Sequence, residues 1–415
     1  EAGDFDPQIA ALEESGFVHQ RRGAEGQEYA FCHPLMQEVA YHGQLESRRA
    51  QTHARLAAAL EAAHPLSAPP DEAAWRIAHH WQRAGQWLSA GIWNLHAAQW
   101  ASSRDVHSTL RQFRLAQENL DRAPETGEVH RQRIAARAGV IRMAQFCGLE
   151  EGEVDRCYAE ARKLADQCGD IASAAELMIS YANEQLQRGD QDAAITLHAA
   201  TVRLCLEHGQ QAMVVRFRLG VLLMYNAAGR PREGIAMMDR VAGGDHWRTE
   251  PVNDDNFMSR GFYALMLAWL GELKKAEVTL RSALAYAERE DRAASWMHAN
   301  IVDLAWFTGN DDDVMGAARK SFARAESFGS VFFRALALRA IGRAHNHLGE
   351  HAKAIPYLEE ARPLVAPGGA AHQFEANVLA TLADAYNGAG RYAEAHETAL
   401  AALTSAQRSR SRVWE

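Results

Sequence analysis

His345, His347 and His351 place three imidazoles within seven positions, the residue type and density from which zinc sites are built. Only 347 and 351 have the i,i+4 spacing that puts two side chains on one helical face, and Gly349 between them is expected to end the helix. No metal is expected there. His79 and His80 are adjacent and so splay around a helix. Asp311, Asp312 and Asp313 read as a solvated helix start, where carboxylates meet the positive end of the helix dipole. No nucleophile, base and orienting acid assemble with any specificity, so the chain is expected to be non-catalytic, with no cofactor. Trp75, Trp81, Trp87, Trp93 and Trp100 could stack a flat ring. Their spacings of six and seven carry them around a helix, which favours packing between helices.

A further set is spaced for binding. Asn226, Asn346 and Asn387 each lie three residues before a glycine, and Trp306 lies three before Gly309. An asparagine side chain offers both donor and acceptor and can hold a peptide backbone. Asp303, Arg339, Arg343 and Asp384 fall on the same surface by the helical period. Asparagine near a helix end also caps its own backbone, and both readings stand.

The elements that must carry these residues repeat. Gly148, Gly189, Gly229, Gly271, Gly309, Gly349 and Gly390 are spaced 41, 40, 42, 38, 40 and 41 residues apart. Self-similarity at such a period marks stacked helical hairpins, none of which buries its apolar face alone. In the clearest unit Leu382, Ala383 and Tyr386 precede Gly390, and Ala395 follows it. Ile341, Gly342, Gly349 and Ala354 repeat the arrangement, as do Tyr181, Ala182, Gly189 and Ala194. Gly271 with Ala276 and Gly85 with Ala90 keep the turn spacing. Small residues let the paired helices approach, and the turn needs positive φ. The unit near Gly309 is degenerate, with Val302 and Val314 in the small positions, and a one-residue insertion is expected near Gly152. The polar, glycine-rich segment 242–255 is expected to protrude as a loop.

The small-residue, tyrosine and alanine pattern resembles the tetratricopeptide repeat, though this period exceeds the usual 34 residues of that family. The resemblance implies an all-α, right-handed superhelical solenoid of tetratricopeptide-like hairpins over residues 71–415. It also implies a concave groove, with Asn226, Asp303, Trp306, Arg339, Arg343, Asn346, Asp384 and Asn387 as its binding candidates.

Residues 1–66 differ. A short helix (PQIAALEESG), a hairpin of FVHQRR and EYAFCH about GAEGQ, and further helices suggest a small, truncated winged-helix element, closed off by PLSAPP at 65–70. FCHPLMQEVAY followed by SRRAQTHARLAAALE resembles the end of the winged helix in bacterial signal-transduction ATPases with numerous domains. LAWLGELKKAEVTLRSAL, FRALALRAIGRAHNHLGEHAKAIPYLEEA and SRVWE extend the likeness toward adenylate or guanylate cyclase-like ATPases. Transcriptional activators of similar layout share much of the pattern. The resemblance implies a sensor region behind an ATPase module, and gives His33 of the F-x-H string a role in sensing nucleotide state. The plainer reading is a histidine capping a strand-to-helix junction, with Pro34 in the first turn. No GxxxxGK[ST] loop is present, so ATP binding is not expected of this chain.

Composition narrows the partners. Net charge is -9, with 23% charged and 47% hydrophobic residues. Residues 1–66 hold ten acids against five arginines, where a phosphate-binding face is ordinarily basic. A protein or peptide partner, or a small inducer, is therefore expected in place of nucleic acid. Five cysteines without a CxxC pair suit a reducing cytoplasm, and no apolar run reaches the length of a membrane span. The start at Glu1-Ala2-Gly3-Asp4 reads as a cut within a larger polypeptide.

Overall fold

A computed structural model describes residues 6–23, 26–68, 71–102, 104–147, 149–150, 152–290, 295–310, 312–367 and 371–411. The expectations placed on residues 1–4, Pro69, Pro70, Gly148, Asp311 and the closing 412–415 lie outside the described residues.

The chain opens with α1 (Asp6–Glu14), an antiparallel hairpin of β1 (Val18–Gly23) and β2 (Gly26–Phe31) in the register Val18 to Phe31, then α2 (Pro34–His42) and α3 (Glu46–Ala63). His33 is the N-cap of α2, its Nδ1 accepting from the Leu35 N–H at 3.2 Å, and Pro34 fills the first turn. Among the described residues of this segment, α2 buries none and α3 buries only Ala57.

Everything beyond is helical: α4 (Ala73–Arg83), α5 (Trp87–Ala101), α6 (Val106–Arg122), α7 (Gly127–Cys147), α8 (Glu153–Cys168), α9 (Ile171–Gln187), α10 (Gln191–Glu207), the short α11 (Gln211–Arg216) running into α12 (Arg218–Ala227), and α13 (Pro231–Ala242). They are followed by α14 (Phe257–Trp269), α15 (Leu273–Arg289), α16 (Ser295–Thr308), α17 (Val314–Phe328), α18 (Val331–His347), α19 (His351–Leu364), α20 (Glu375–Gly388) and α21 (Tyr392–Ser409). No described helix is long and apolar enough to cross a membrane.

The turn glycines supply the backbone conformation that other residues resist. Gly349 and Gly390 lie at φ 73° and 78°. At the second, Arg391 N–H returns to the Tyr386 carbonyl at 2.8 Å and Gly390 N–H to Asn387 at 3.1 Å, satisfying helix-end carbonyls in the Schellman manner. Gly342 acts by size: a Cβ there would stand 2.4 Å from Leu358 Cγ, so the close crossing of α18 and α19 depends on its absence. At Asp71, an oxygen accepts the Ala73 N–H at 2.8 Å and starts α4.

Helices α7, α9, α12, α14, α16, α18 and α20 touch in series and form the inner layer of the solenoid. The curvature is tight enough to bring distant units together. Phe146 on α7 stacks on Phe333 and meets Phe332 edge-on, both at 5.7 Å. A short 3-10 turn, His372–Phe374, lies against α9. Arg410 pairs with Asp192, 218 residues away, and the Ser411 hydroxyl donates to the Ala227 carbonyl at 2.8 Å. The concave side is thus closed by the chain itself, not left as the open groove that the repeat pattern suggests. Segment 242–255 does not simply protrude either. Trp247 is buried on the core, its Nε1 donating to Asp239 at 3.0 Å, and the buried Arg260 donates to the carbonyls of Arg248 and Glu250. An indole in a polar stretch gains enough by burial to pull the loop inward.

Candidate functional site

The closed interior leaves a hollow among the described residues. A cavity of about 80 Å³ lies between the inner faces of α12, α14, α16, α18 and α20, capped by the His372–Phe374 turn. Helical spacing builds each wall. Phe262, Leu265 and Trp269 line it from α14, Asn300, Asp303 and Phe307 from α16, and Leu336, Arg339 and Arg343 from α18, each set stepping i, i+3, i+7. Leu223 and Asn226 come from α12, Asn377 from α20, and Gln373 and Phe374 from the cap. The wall is mixed, with apolar and aromatic side chains facing a nearly equal number of polar and charged ones.

The charges are concentrated. Arg339, 1% exposed, grips Asp303 through both terminal nitrogens at 2.7 and 2.9 Å, and also reaches Asn377 Oδ1 at 3.3 Å. Arg343, 7% exposed, stands 3.3 Å from the same Asp303 oxygen, with its guanidinium 4.9 Å from the centre of the Trp306 ring. Burial works to raise the Asp303 carboxyl, but the two arginine charges outweigh it and hold the group below the usual carboxylate range. Burial, with Arg339 adding to it against Asp303 and Asp384, lowers the Arg343 guanidinium. Nε of both arginines, Oδ1 of Asn226 and Nε2 of Gln373 are buried without a hydrogen-bond partner in the protein.

Of the eight groove candidates, Asn226, Asp303, Arg339 and Arg343 line this hollow. Trp306 lies behind Arg343 and is 45% exposed. Asp384 opens to solvent on one side, yet desolvation by the protein around it raises its carboxyl, while Arg343 and His351 oppose the shift. Asn346 donates to the Thr381 carbonyl at 2.9 Å and ties α18 to α20, and Asn387 is exposed. Wall residues recur six before the turn glycine, as at Leu223, Leu265, Asp303 and Arg343, and of the four residues expected three before a glycine only Asn226 reaches the wall. Asn300 and Asn377 escaped notice because they lie a further turn or more up their helices. Their signal would have been the same helical period carried further from the glycine.

The other clusters are used internally. His345 meets Glu350 at 2.8 Å and stacks on Tyr357, and His351 lies 3.4 Å from Asn346. Among the described residues no group of three His, Cys, Asp or Glu is placed to hold a metal ion. His79 and His80 do not diverge as adjacency suggested: His53 on α3 meets the ring of each, with its Nδ1 2.9 Å from His80 Nδ1. Trp93 is core, Trp81 donates to Glu61, and Trp87 and Trp100 lie under Arg122 and Arg104. Trp75, expected between helices, is 50% exposed.

Residues 333–408 match the tetratricopeptide repeat family. No curated protein matches the sequence. Among solved structures, the chain is similar to a Rap protein complexed with competence and sporulation factor, at 11% identity over 79% of this chain and 99% of that one, with a TM-score of 0.52. The apo form of RapI aligns at 12% identity over 88% and 98%, with a TM-score of 0.49. A signal transduction ATPase with numerous domains, with a tetratricopeptide repeat sensor, from Pyrococcus horikoshii aligns at 16% identity over 98% of this chain and 46% of that chain, with a TM-score of 0.34. The likeness to the first Rap protein shows a common helical-repeat fold; the tetratricopeptide match is confined to residues 333–408, within α18–α21.

Proposed function

We propose that this chain is the non-catalytic sensor region of a larger bacterial signalling ATPase of the cyclase-associated kind. In this reading the inner pocket takes the ligand, a peptide segment or small inducer. The solenoid passes its state through a winged-helix element at 1–66 to an ATPase module outside the chain. The observation that carries the reading is the pocket itself: an inward-facing hollow with buried arginine and amide groups that the protein leaves partly unpaired. The order of the elements, hairpin and helices before the repeats, supports the transmission route. The Rap protein of similar fold was crystallised with competence and sporulation factor, which makes ligand capture by such a superhelix reasonable.

A sensor also needs an element that distinguishes two states, because a ligand shifts an equilibrium only by its differential affinity. We assign that element to the His372–Phe374 turn, since Gln373 and Phe374 line the pocket while the turn rests on α9 across the closure. Removal of residues 71–415 from the full-length protein should abolish the response of its nucleotide turnover to stimulus. Unchanged activity and response would overturn the reading. The second reading, the inducer-sensing region of an ATP-dependent transcriptional activator, rests on the same pocket and is favoured if a helix-turn-helix follows Glu415 in the native gene.

A further inference from the structure

The pocket holds two guanidinium groups and one carboxylate. Asp303 is committed to Arg339 in a two-point grip, leaving Arg343 with a single contact of 3.3 Å to an oxygen already shared. Asp384, the next acid toward Arg343, is exposed and acts on it through charge alone, with no hydrogen bond or ion pair between the two among the described residues. The flat face of Arg343 is covered by Trp306. Its Nε, in a side chain more than nine-tenths buried, has no acceptor in the protein. A buried cation with spare in-plane donors is costly unless an anion completes it, and guanidinium geometry matches a carboxylate in particular. The surrounding rings of Phe262, Trp296, Phe307 and Phe374 supply an apolar lining for whatever carries that anion.

We infer that the pocket binds an organic carboxylate on an aromatic or apolar body, its head group on Arg343 and its body against Trp296 and Phe374. This deepens the sensor reading and rests on it. The carboxylate can belong to a free small acid or to the C-terminus of a peptide, because both present the same two oxygens.

The test is calorimetric titration of the 415-residue protein with 3-phenylpropionate and indole-3-propionate, with their primary amides, and with Gly-Gly-Phe bearing a free or an amidated C-terminus. The acids should bind about tenfold or more tightly than the amides, the margin expected of a charge-assisted pair. Arg343→Gln should reduce the acids to the level of the amides while leaving the melting temperature near that of the parent. If Arg343→Gln does not fold, Arg343→Lys, which keeps the charge and loses the planar fork, should still weaken the acids selectively. Preference for the small acids or for the free peptide terminus identifies the source, and either supports the inference when it depends on Arg343.

Acids and amides binding alike, or a preference that survives Arg343→Gln, overturns the anion and leaves a ligand pocket of other chemistry. No binding of any probe at about 5 mM, weaker than millimolar affinity, also overturns it. The response of the full-length protein to removal of residues 71–415 decides the sensor reading separately.

Discussion

Two pairs of buried arginines in this molecule have opposite fates. At the α6–α7 turn, Arg133 donates to the carbonyls of Leu120, Asp121 and Ala123 and to Glu125, while Arg137 takes both oxygens of Asp121 and one of Glu160. Their donors are consumed in closing a helix end that would otherwise leave carbonyls bare. At the pocket, Arg339 is held by Asp303 but Arg343 has spare donors, and both keep an unpartnered Nε. Burial alone therefore does not distinguish a structural arginine from a receptor. What remains undonated does.

The comparison breaks most directly at Arg133. Arg133→Met strips the donors from three carbonyls and should lower unfolding free energy by about 3 kcal/mol in denaturant titration. A variant as stable as the parent would show that the α6–α7 arginines are dispensable. Arg339→Met should cost less, about 2 kcal/mol, because Arg343 stands close enough to take over Asp303. Arg343→Met should change stability by no more than about 1 kcal/mol in either direction, since removing an incompletely paired buried charge relieves desolvation. A loss as large as that at Arg133 would place Arg343 with the structural pair.

A third cluster, only partly buried, sharpens the contrast because its histidines are pushed toward the neutral form. Burial lowers His53, His79 and His80, with nearby Arg49, Arg76 and Arg83 adding to it, and His80 falls from 6.5 to about 4. Between those values the unfolded chain binds more protons than the folded one. The stabilising contribution is complete above pH 6.5 and is lost as pH falls toward 4. Hydrogen exchange across α3 and α4 should quicken over that interval, and His53→Gln should flatten the dependence. Exchange there that is indifferent to pH would remove the cluster from the comparison.

These contrasts also mark what a sequence can reveal. Gly189, Gly229, Gly271, Gly309, Gly349 and Gly390 all adopt positive φ at hairpin turns, as their spacing and local chemistry required. The β-hairpin at 18–31 was legible from its aromatic residues and glycines. The surface shared by Asp303, Arg339 and Arg343 followed from the helical period. The closure did not, because curvature is a sum of small rotations over many units, and no single contact such as Phe146 on Phe333 announces it locally. Asn346 was misleading for a related reason. Its position before the turn is shared with Asn226, but the neighbouring α20 covers it, and which inner residue is covered depends on the angle between units. Trp247 shows the opposite failure, where one buried ring overruled a polar stretch.

The tie between Arg410 and Asp192 and the Ser411 bond to Ala227 alter how this chain comes apart. A linear repeat array behaves as a one-dimensional lattice, fraying from its ends with each unit answering only to its neighbours. Here α21 is fastened at Arg410 to the middle of the array, so separating α20 and α21 from the rest must also sever a link spanning about half of the 415 residues. That link adds long sequence separation to an otherwise local topology, slowing assembly and making the melt of 171–411 more nearly all-or-none than the repeat count alone would predict.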